Sequence, residues 1–492
     1  NKVVQNMLLQ SEFLGWSEPC LRSTAQYLRR CYSRDNIVDM SSICVVLPGK
    51  RAARRLEELL YVGMEGELRP PRFLTVGALP ELLYRSEKPL ATKAQGRLAW
   101  MEALKRIEKK KLVELLPAEI EVEGFSSFGL IAYLESLWSE VTAAGLDFEK
   151  VAGVREDRRW QVLDELTKFY LEILGQHGLE DRNQARLESL ELGDISCSKD
   201  IILVATADLN PITCKMLAKV KADITTLIFA PKDYQDYFDQ FGCLITERWL
   251  DEEIELFDEQ LKVVDKFEEQ AQEAIEACTG LDDVTVGICD AALEPYLEGC
   301  FNEKRVSVVR SKPQPVSVTP IYSFFSLLAE HIESQSYKSF GSLVRHHLVF
   351  NLLKEEFGSG IIEAIDDYHC VHLPKKVSEN LHCKTVRAVY KYLEQYFLLE
   401  LRADNSFKDW AEILARLANK VGKESEVTNS LQQISDIPDS LGDSIDASKA
   451  IRFFLELLAT EEGEYDSEEK GIVFMGWLEL ALDDTPNLII TG

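Results

Sequence analysis

The sequence predicts an α/β fold with two parallel-sheet cores, each interrupted by an all-helical insertion. Three observations predict it. Short β-branched runs fall into two groups, 41–77 with 200–230 and 284–309 with 471–490, and helical stretches separate their members. Parallel strands need crossovers of a dozen residues or more, which those stretches supply. A chain of 492 residues also leaves room for about three domains at roughly 150 residues each.

The elements follow in order. Ser41-Ser-Ile-Cys-Val-Val-Leu-Pro48 is an apolar run ending in Pro48-Gly49 and reads as a buried strand. Ala52, Leu56, Leu59 and Leu60 recur at helical spacing, so a strand, a tight turn and a helix open the first β-α unit. Residues 72–77 read as a second strand and 78–84 as a short helix. Long helical stretches are expected over 92–115, 126–144 and 156–176. Strands return at 200–205 and 224–230, with a helix over 211–220 between them. The pattern then repeats with a strand at 284–289, a helix at 293–301 and a strand at 306–309. Three prolines make Lys312–Pro320 a loop. Residues 321–458 read as helical apart from turns such as Gly358-Ser-Gly360 and Asp436-Ile-Pro438, and 471–475 and 488–490 as strands. There is no internal repeat.

Hydrophobic residues make up 46% and charged residues 28%, the composition of a globular protein rather than a disordered one. No apolar run approaches the roughly 18 residues a membrane span needs, and no signal-peptide layout opens the chain. The formal charge is −28, so the average field repels a polyanion and any phosphate contact must come from local basic patches. Such patches occur at Lys50, Arg51, Arg54 and Arg55, at 105–111, and at Arg155, Arg158 and Arg159. Between Glu247 and Glu298, 17 acids face 3 bases, which reads as solvated helix faces and a linker. Eleven cysteines without a Cys-x-x-Cys pair suggest reduced thiols and a cytoplasmic setting. His369, Cys370, His372, His382 and Cys383 cluster in sequence. Adjacent ligands point apart on any regular element, so no metal is expected there.

The ends of the strands carry particular words. Cys44-Val-Val-Leu-Pro-Gly-Lys-Arg-Ala-Ala-Arg-Arg-Leu56 is a strand closing on a basic helix start. Phe73-Leu-Thr-Val-Gly-Ala-Leu-Pro-Glu-Leu-Leu83 is a strand ending at a threonine before a short helix. Ile201-Ile-Leu-Val-Ala-Thr-Ala-Asp-Leu-Asn-Pro211 and Leu227-Ile-Phe-Ala-Pro-Lys-Asp-Tyr-Gln235 follow, and Val473-Phe-Met-Gly-Trp-Leu-Glu-Leu-Ala-Leu-Asp-Asp-Thr-Pro-Asn-Leu-Ile-Ile-Thr-Gly492 closes the chain. In this order over nearly the whole chain, these words resemble the motifs of UvrD/RecB-type superfamily 1 helicases. More closely they resemble the AddB-type subunit of bacterial helicase–nucleases.

The resemblance implies two RecA-like cores: 1–91 and 196–260 form the first around an insertion and connection at 92–195, and 261–320 and 471–492 form the second around an insertion at 321–470. The second core is then truncated. It places Lys50 and Arg51 at a single-strand-contacting motif with Arg54 beside them, and Thr75 at the next such motif. Trp477 reads either as a core side chain, the commoner case, or as a base-stacking platform. The nucleotide motifs depart from the family. A phosphate loop needs Gly-x4-Gly-Lys-Ser/Thr, so that backbone N–H groups wrap the phosphates, Lys neutralises them and the hydroxyl holds Mg²⁺. Here Gly15 is followed by Cys20 at the second Gly, Leu21 at the Lys and Arg22 at the Ser/Thr. The metal strand has Ala205 and Thr206 in place of Asp-Glu, with Asp208 shifted.

The expectation is therefore an ATPase-inactive, helicase-like portion of a double-strand-break repair subunit that guides single-stranded DNA or DNA ends beside a RecB/AddA-like motor. Neither ATPase nor nuclease activity is expected of this chain, and no cofactor. The start at Asn1 without Met and the strand-like end read as part of a longer protein. The family would continue it with a Mg²⁺-dependent PD-(D/E)XK nuclease domain, sometimes beside an iron–sulfur cluster. Two other readings stand beside this one: an interaction scaffold without DNA affinity, and an ATP-driven helicase with an atypical phosphate loop.

Overall fold

The computed structural model describes residues 9–34, 37–64, 66–115, 128–155, 157–253, 255–377, 381–463 and 471–492. The opening of the first core (1–8) and the expected helix starts at 126 and 156 lie outside them. The first core contains β1 (Leu9–Phe13), α1 (Cys20–Tyr32), β2 (Ser33–Arg34), β3 (Ile37–Asp39), β4 (Ile43–Leu47), α2 (Lys50–Tyr61), β5 (Glu67–Arg69), β6 (Arg72–Thr75) and α3 (Pro80–Leu83). The first helical insertion contributes α4 (Lys93–Arg106), α5 (Lys109–Leu112), α6 (Phe128–Ala143), α7 (Phe148–Val154), α8 (Arg158–Gln176) and α9 (Arg182–Leu192). The core resumes with β7 (Asp200–Val204), α10 (Pro211–Leu217), β8 (Ile224–Ile228) and α11 (Thr246–Trp249).

The main sheet runs β1-β8-β7-β4-β6, with every neighbouring pair parallel. All five residues of β4 are buried, because a parallel strand covered on both faces must be apolar throughout. The crossovers from β1 to β4 and from β4 to β6 run one way along the sheet, and those from β6 to β7 to β8 run the other way. Right-handed connections therefore put α1 and α2 on one face and the insertion with α10 on the other. The side chains of β4 divide accordingly. Ile43, Val45 and Leu47 join the core under α1 and α2, whereas Cys44 and Val46 join the core under the insertion.

Several elements differ from the sequence reading. β1 carries only Leu9 and Phe13 as apolar residues, so no periodicity marked it. It forms as an edge strand whose exposed residues are polar. A small three-stranded sheet, β2-β3-β5, is too short to leave a sequence pattern. The helix expected over 92–115 starts with a capping box between Thr92 and Gln95 and stops at Arg106, where Ile107 turns extended and buries its side chain. The acidic segment is partly helix: α12 (Phe267–Cys278) buries Ala271, Ala274, Ile275 and Cys278 on one stripe and turns its acids outward.

The second sheet is formed by β9 (Val284–Ile288), β10 (Val308–Arg310), β11 (Ile472–Gly476) and β12 (Asn487–Thr491). It runs β10-β11-β9-β12 and is also parallel throughout. α12 and α13 (Glu294–Glu303) cover one face through Val284, Val286, Ile288 and Phe474. The 3-10 turn Trp477–Leu482 lies over the other face, where the bare Gly287 lets Leu480 settle on the strand. Between β10 and β11 come α14 (Pro320–Ser334), α15 (Tyr337–Arg345), α16 (His347–Phe357), α17 (Ile361–His372), α18 (Lys384–Leu393), α19 (Phe407–Lys420), α20 (Thr428–Ser435) and α21 (Ala447–Leu458). The two helical insertions share one apolar core. Phe128 packs on Phe453 with ring centroids 5.7 Å apart, and the Gln95 amide donates to the Asp436 carbonyl at 2.8 Å.

Candidate functional site at the junction of the two cores

In an open parallel sheet, ligands bind beyond the carboxyl ends of the strands where the direction of the crossovers reverses. Here that point lies between β4 and β7, and the first turn of α2 stands directly after β4. The carboxyl-end segment of the second core meets it there.

The contact is made of charges. Arg55 forms a two-pronged pair with Asp484, Nε and Nη2 each 2.9 Å from a carboxylate oxygen. Arg22 Nε donates to the same carboxylate at 3.1 Å, and its Nη2 donates to the Asp484 carbonyl at 3.3 Å. Arg51 Nη2 reaches Asp483 at 3.3 Å, and its Nη1 lies 3.5 Å from the Met475 sulfur. Lys50 Nζ pairs with Glu462 at 3.1 Å, both largely exposed. The side chains of Asp483 and Asp484 are only 4% and 7% exposed, so these two carboxylates depend on their arginines. Burial pushes the Asp484 carboxyl up, but the hydrogen bonds and charge of Arg55, followed by those of Arg22, outweigh it. The carboxyl is held below the usual carboxylate range.

The segments compared above with nucleotide motifs border this junction. After β1, the Leu14 and Gly15 N–H groups donate to Ile228 and Ala230 carbonyls at 2.9 and 3.0 Å, so they belong to the sheet rather than to a cradle. Gly15 takes the left-handed conformation, with φ of 73°. The Trp16 indole N–H donates to the Phe229 carbonyl at 2.9 Å, and its ring leans on Tyr234. Cys20 and Leu21 open α1 and are fully buried, and burial pushes the Cys20 thiol up to about 12. Arg22, in the same helical turn, is the residue that faces the second core. At the end of β7, Ala205 has a φ of 46° and Thr206 is buried, its hydroxyl donating to the Phe241 carbonyl at 3.1 Å. Asn210 caps α10 through Thr213 N–H at 3.0 Å, with Pro211 in the first helical turn.

Of the residues picked out by sequence, the structure brings Arg22, Lys50 and Arg51 to one junction. Trp477 stands on the 3-10 turn beside it, 59% exposed. Arg54 is exposed on α2, and Thr75 is half-buried at the end of β6. The sequence reading missed Asp483 and Asp484 as partners. Their signal was available: Asp483 and Asp484 are adjacent acids in a segment without Lys, Arg or His from 473 to 492, while Arg22 stands at the first helical turn after Gly15. In the histidine-rich segment, the His369 ring stacks on Tyr337 and the His372 ring packs against Tyr368. No family model matches the chain, and no curated protein matches it either. No described helix is long and apolar enough to cross a membrane.

Proposed function

We propose that this chain is the ATPase-inactive, helicase-like part of an AddB-type subunit acting in double-strand-break repair. It guides a separated DNA strand and holds a RecB/AddA-like motor partner, and the nuclease chemistry belongs to a PD-(D/E)XK domain following it. Its two parallel sheets correspond in this reading to two RecA-like cores. The observation that carries the reading is the carboxyl-end junction between them. At the place where such a pair of cores would close on a nucleotide, Arg22 in the first turn of α1 binds Asp484 instead, and Leu21 is buried in the core. Arginine–carboxylate pairing would then hold closed what nucleotide binding closes in an active motor.

A specific observation favours a second reading, an interaction scaffold without DNA affinity: Lys50, Arg51 and Arg55 are engaged with acids of their own chain. Salt-dependent binding separates the two. Lys50→Glu and Arg54→Glu are expected to weaken binding of a fluorescent single strand and to flatten its log–log salt slope by about 0.7 for each phosphate no longer neutralised. Unchanged affinity and slope would leave the scaffold. DNA-stimulated ATP turnover abolished by Asp208→Ala would replace both with an ATP-driven helicase using an atypical phosphate loop.

A further inference from the structure

At the carboxyl ends of β7 and β8, the fold gathers three metal-ligand side chains that no sequence motif marks. Cys214 lies on α10, while Asp239 and Cys243 stand at the two ends of a tight turn after β8. The two sulfurs and a carboxylate oxygen of Asp239 all lie within 4.8 Å of one another. Among the described residues no other trio of histidine, cysteine or acidic side chains converges in this way. We infer that Cys214, Asp239 and Cys243 form a binding site for a single zinc ion, with the fourth position open to water.

The turn is built to hold those donors. Asp239 N–H donates to the Cys243 carbonyl at 2.8 Å, and Asp239 Oδ1 accepts the N–H groups of Phe241 and Cys243 at 2.8 and 2.9 Å. Those bonds orient the carboxylate through one oxygen and leave Oδ2 for a ligand. Gly242 turns the chain with φ of 79° and presses against Thr226, where a Cβ would collide. Phe241 anchors the turn in the core, and its carbonyl accepts from the Thr206 hydroxyl. Leu244 N–H adds a bond to the Ala207 carbonyl at 2.9 Å. The site is therefore carried on a rigid helix and a pinned turn rather than on a loose loop.

Two thiolates with one carboxylate select zinc over magnesium or calcium, which favour all-oxygen sets. Tetrahedral coordination sets the donor atoms roughly 3.3–3.8 Å apart, which small side-chain rotations reach from the present spacing. Zinc binding displaces the protons on both sulfurs to solvent. The bound ion would staple the turn that covers Thr206 to α10. This inference does not depend on the proposal above.

The test uses the full chain, reduced and stripped of metal, then titrated with Zn²⁺ against a chromophoric chelator and separately with Co²⁺. One tight equivalent is expected, with a thiolate-to-cobalt charge-transfer band and the visible bands of tetrahedral Co²⁺. Cys214→Ser and Cys243→Ser should abolish both, Asp239→Asn should weaken zinc at least tenfold, and Cys370→Ser should change neither. Far-UV circular dichroism matching the metal-free parent shows that the variants fold, and Asp239→Asn, at a partly exposed position, stays informative if a cysteine variant does not. The inference is overturned if no equivalent competes with the chelator, or if the equivalent survives loss of both cysteines. It is also overturned if the freshly isolated chain carries a Cys214–Cys243 disulfide in place of metal.

Discussion

Asp484→Asn tests the junction most directly. The substitution keeps the shape and one acceptor but removes the charge that Arg55 and Arg22 share. Breaking a fully buried ion pair from one side costs about 3–5 kcal/mol. Here the carboxylate is buried while the Arg55 and Arg22 side chains are 36% and 51% exposed, so water takes over part of their charge. A loss of about 1–2 kcal/mol is the resulting expectation. That corresponds to roughly a 5–30-fold rise in the open population of the junction. The chain has several apolar cores, so local opening is a better measure than a global unfolding midpoint. Hydrogen exchange over 477–486 at pH 7 should accelerate by that factor in the variant. A double-mutant cycle with Arg55→Gln should give a coupling of about 1 kcal/mol.

The pH dependence fixes the sign. The folded carboxyl titrates below its ordinary value of 3.8, so its contribution is complete above that pH and is lost as pH falls through the folded value. The gap between parent and variant should therefore be constant from pH 5 upward and close under acid conditions. Equal exchange at pH 7 together with zero coupling would refute the reasoning, because the arginines would then be held by something other than Asp484.

Two further predictions concern the fold that carries the site. Asp181 accepts from the Trp138 indole at 2.9 Å and the Tyr170 hydroxyl at 2.8 Å, and it caps α9 through the Asn183 and Gln184 N–H groups. Asp181→Ala should therefore cost about 2–4 kcal/mol from two orphaned buried donors and a missing cap, read as a lower denaturation midpoint of the helical body. Gly242→Ala would place a Cβ 2.5 Å from the Thr226 side chain in a left-handed backbone position. About 1–3 kcal/mol of destabilisation is expected, measured by thermal denaturation without metal, and an unchanged midpoint would mean that the turn relaxes freely.

The sequence by itself determined the class and the alternation. Ile43-Cys-Val-Val-Leu47 had to be a strand covered on both faces, because such a run has no polar face to give to water, and the β-branched runs at 200–204 and 284–288 marked two further strands. It also marked the strand ends worth inspecting, since ligand sites of parallel sheets lie there. What escaped it were features whose residues are ordinary alone and meaningful only together. β1 depends on the edge offered by β8, and the two insertions merge because their apolar stripes meet in space rather than along the chain. Arg22 and Asp484 stand 462 residues apart, and Cys214 is separated from Asp239 and Cys243 by a whole strand. Local pattern fixes φ and ψ preferences and which face is apolar, but the partner of a charge or a thiol is set by how the layers stack. Only the tertiary structure decided that basic residues marked as a path for DNA also join the two cores.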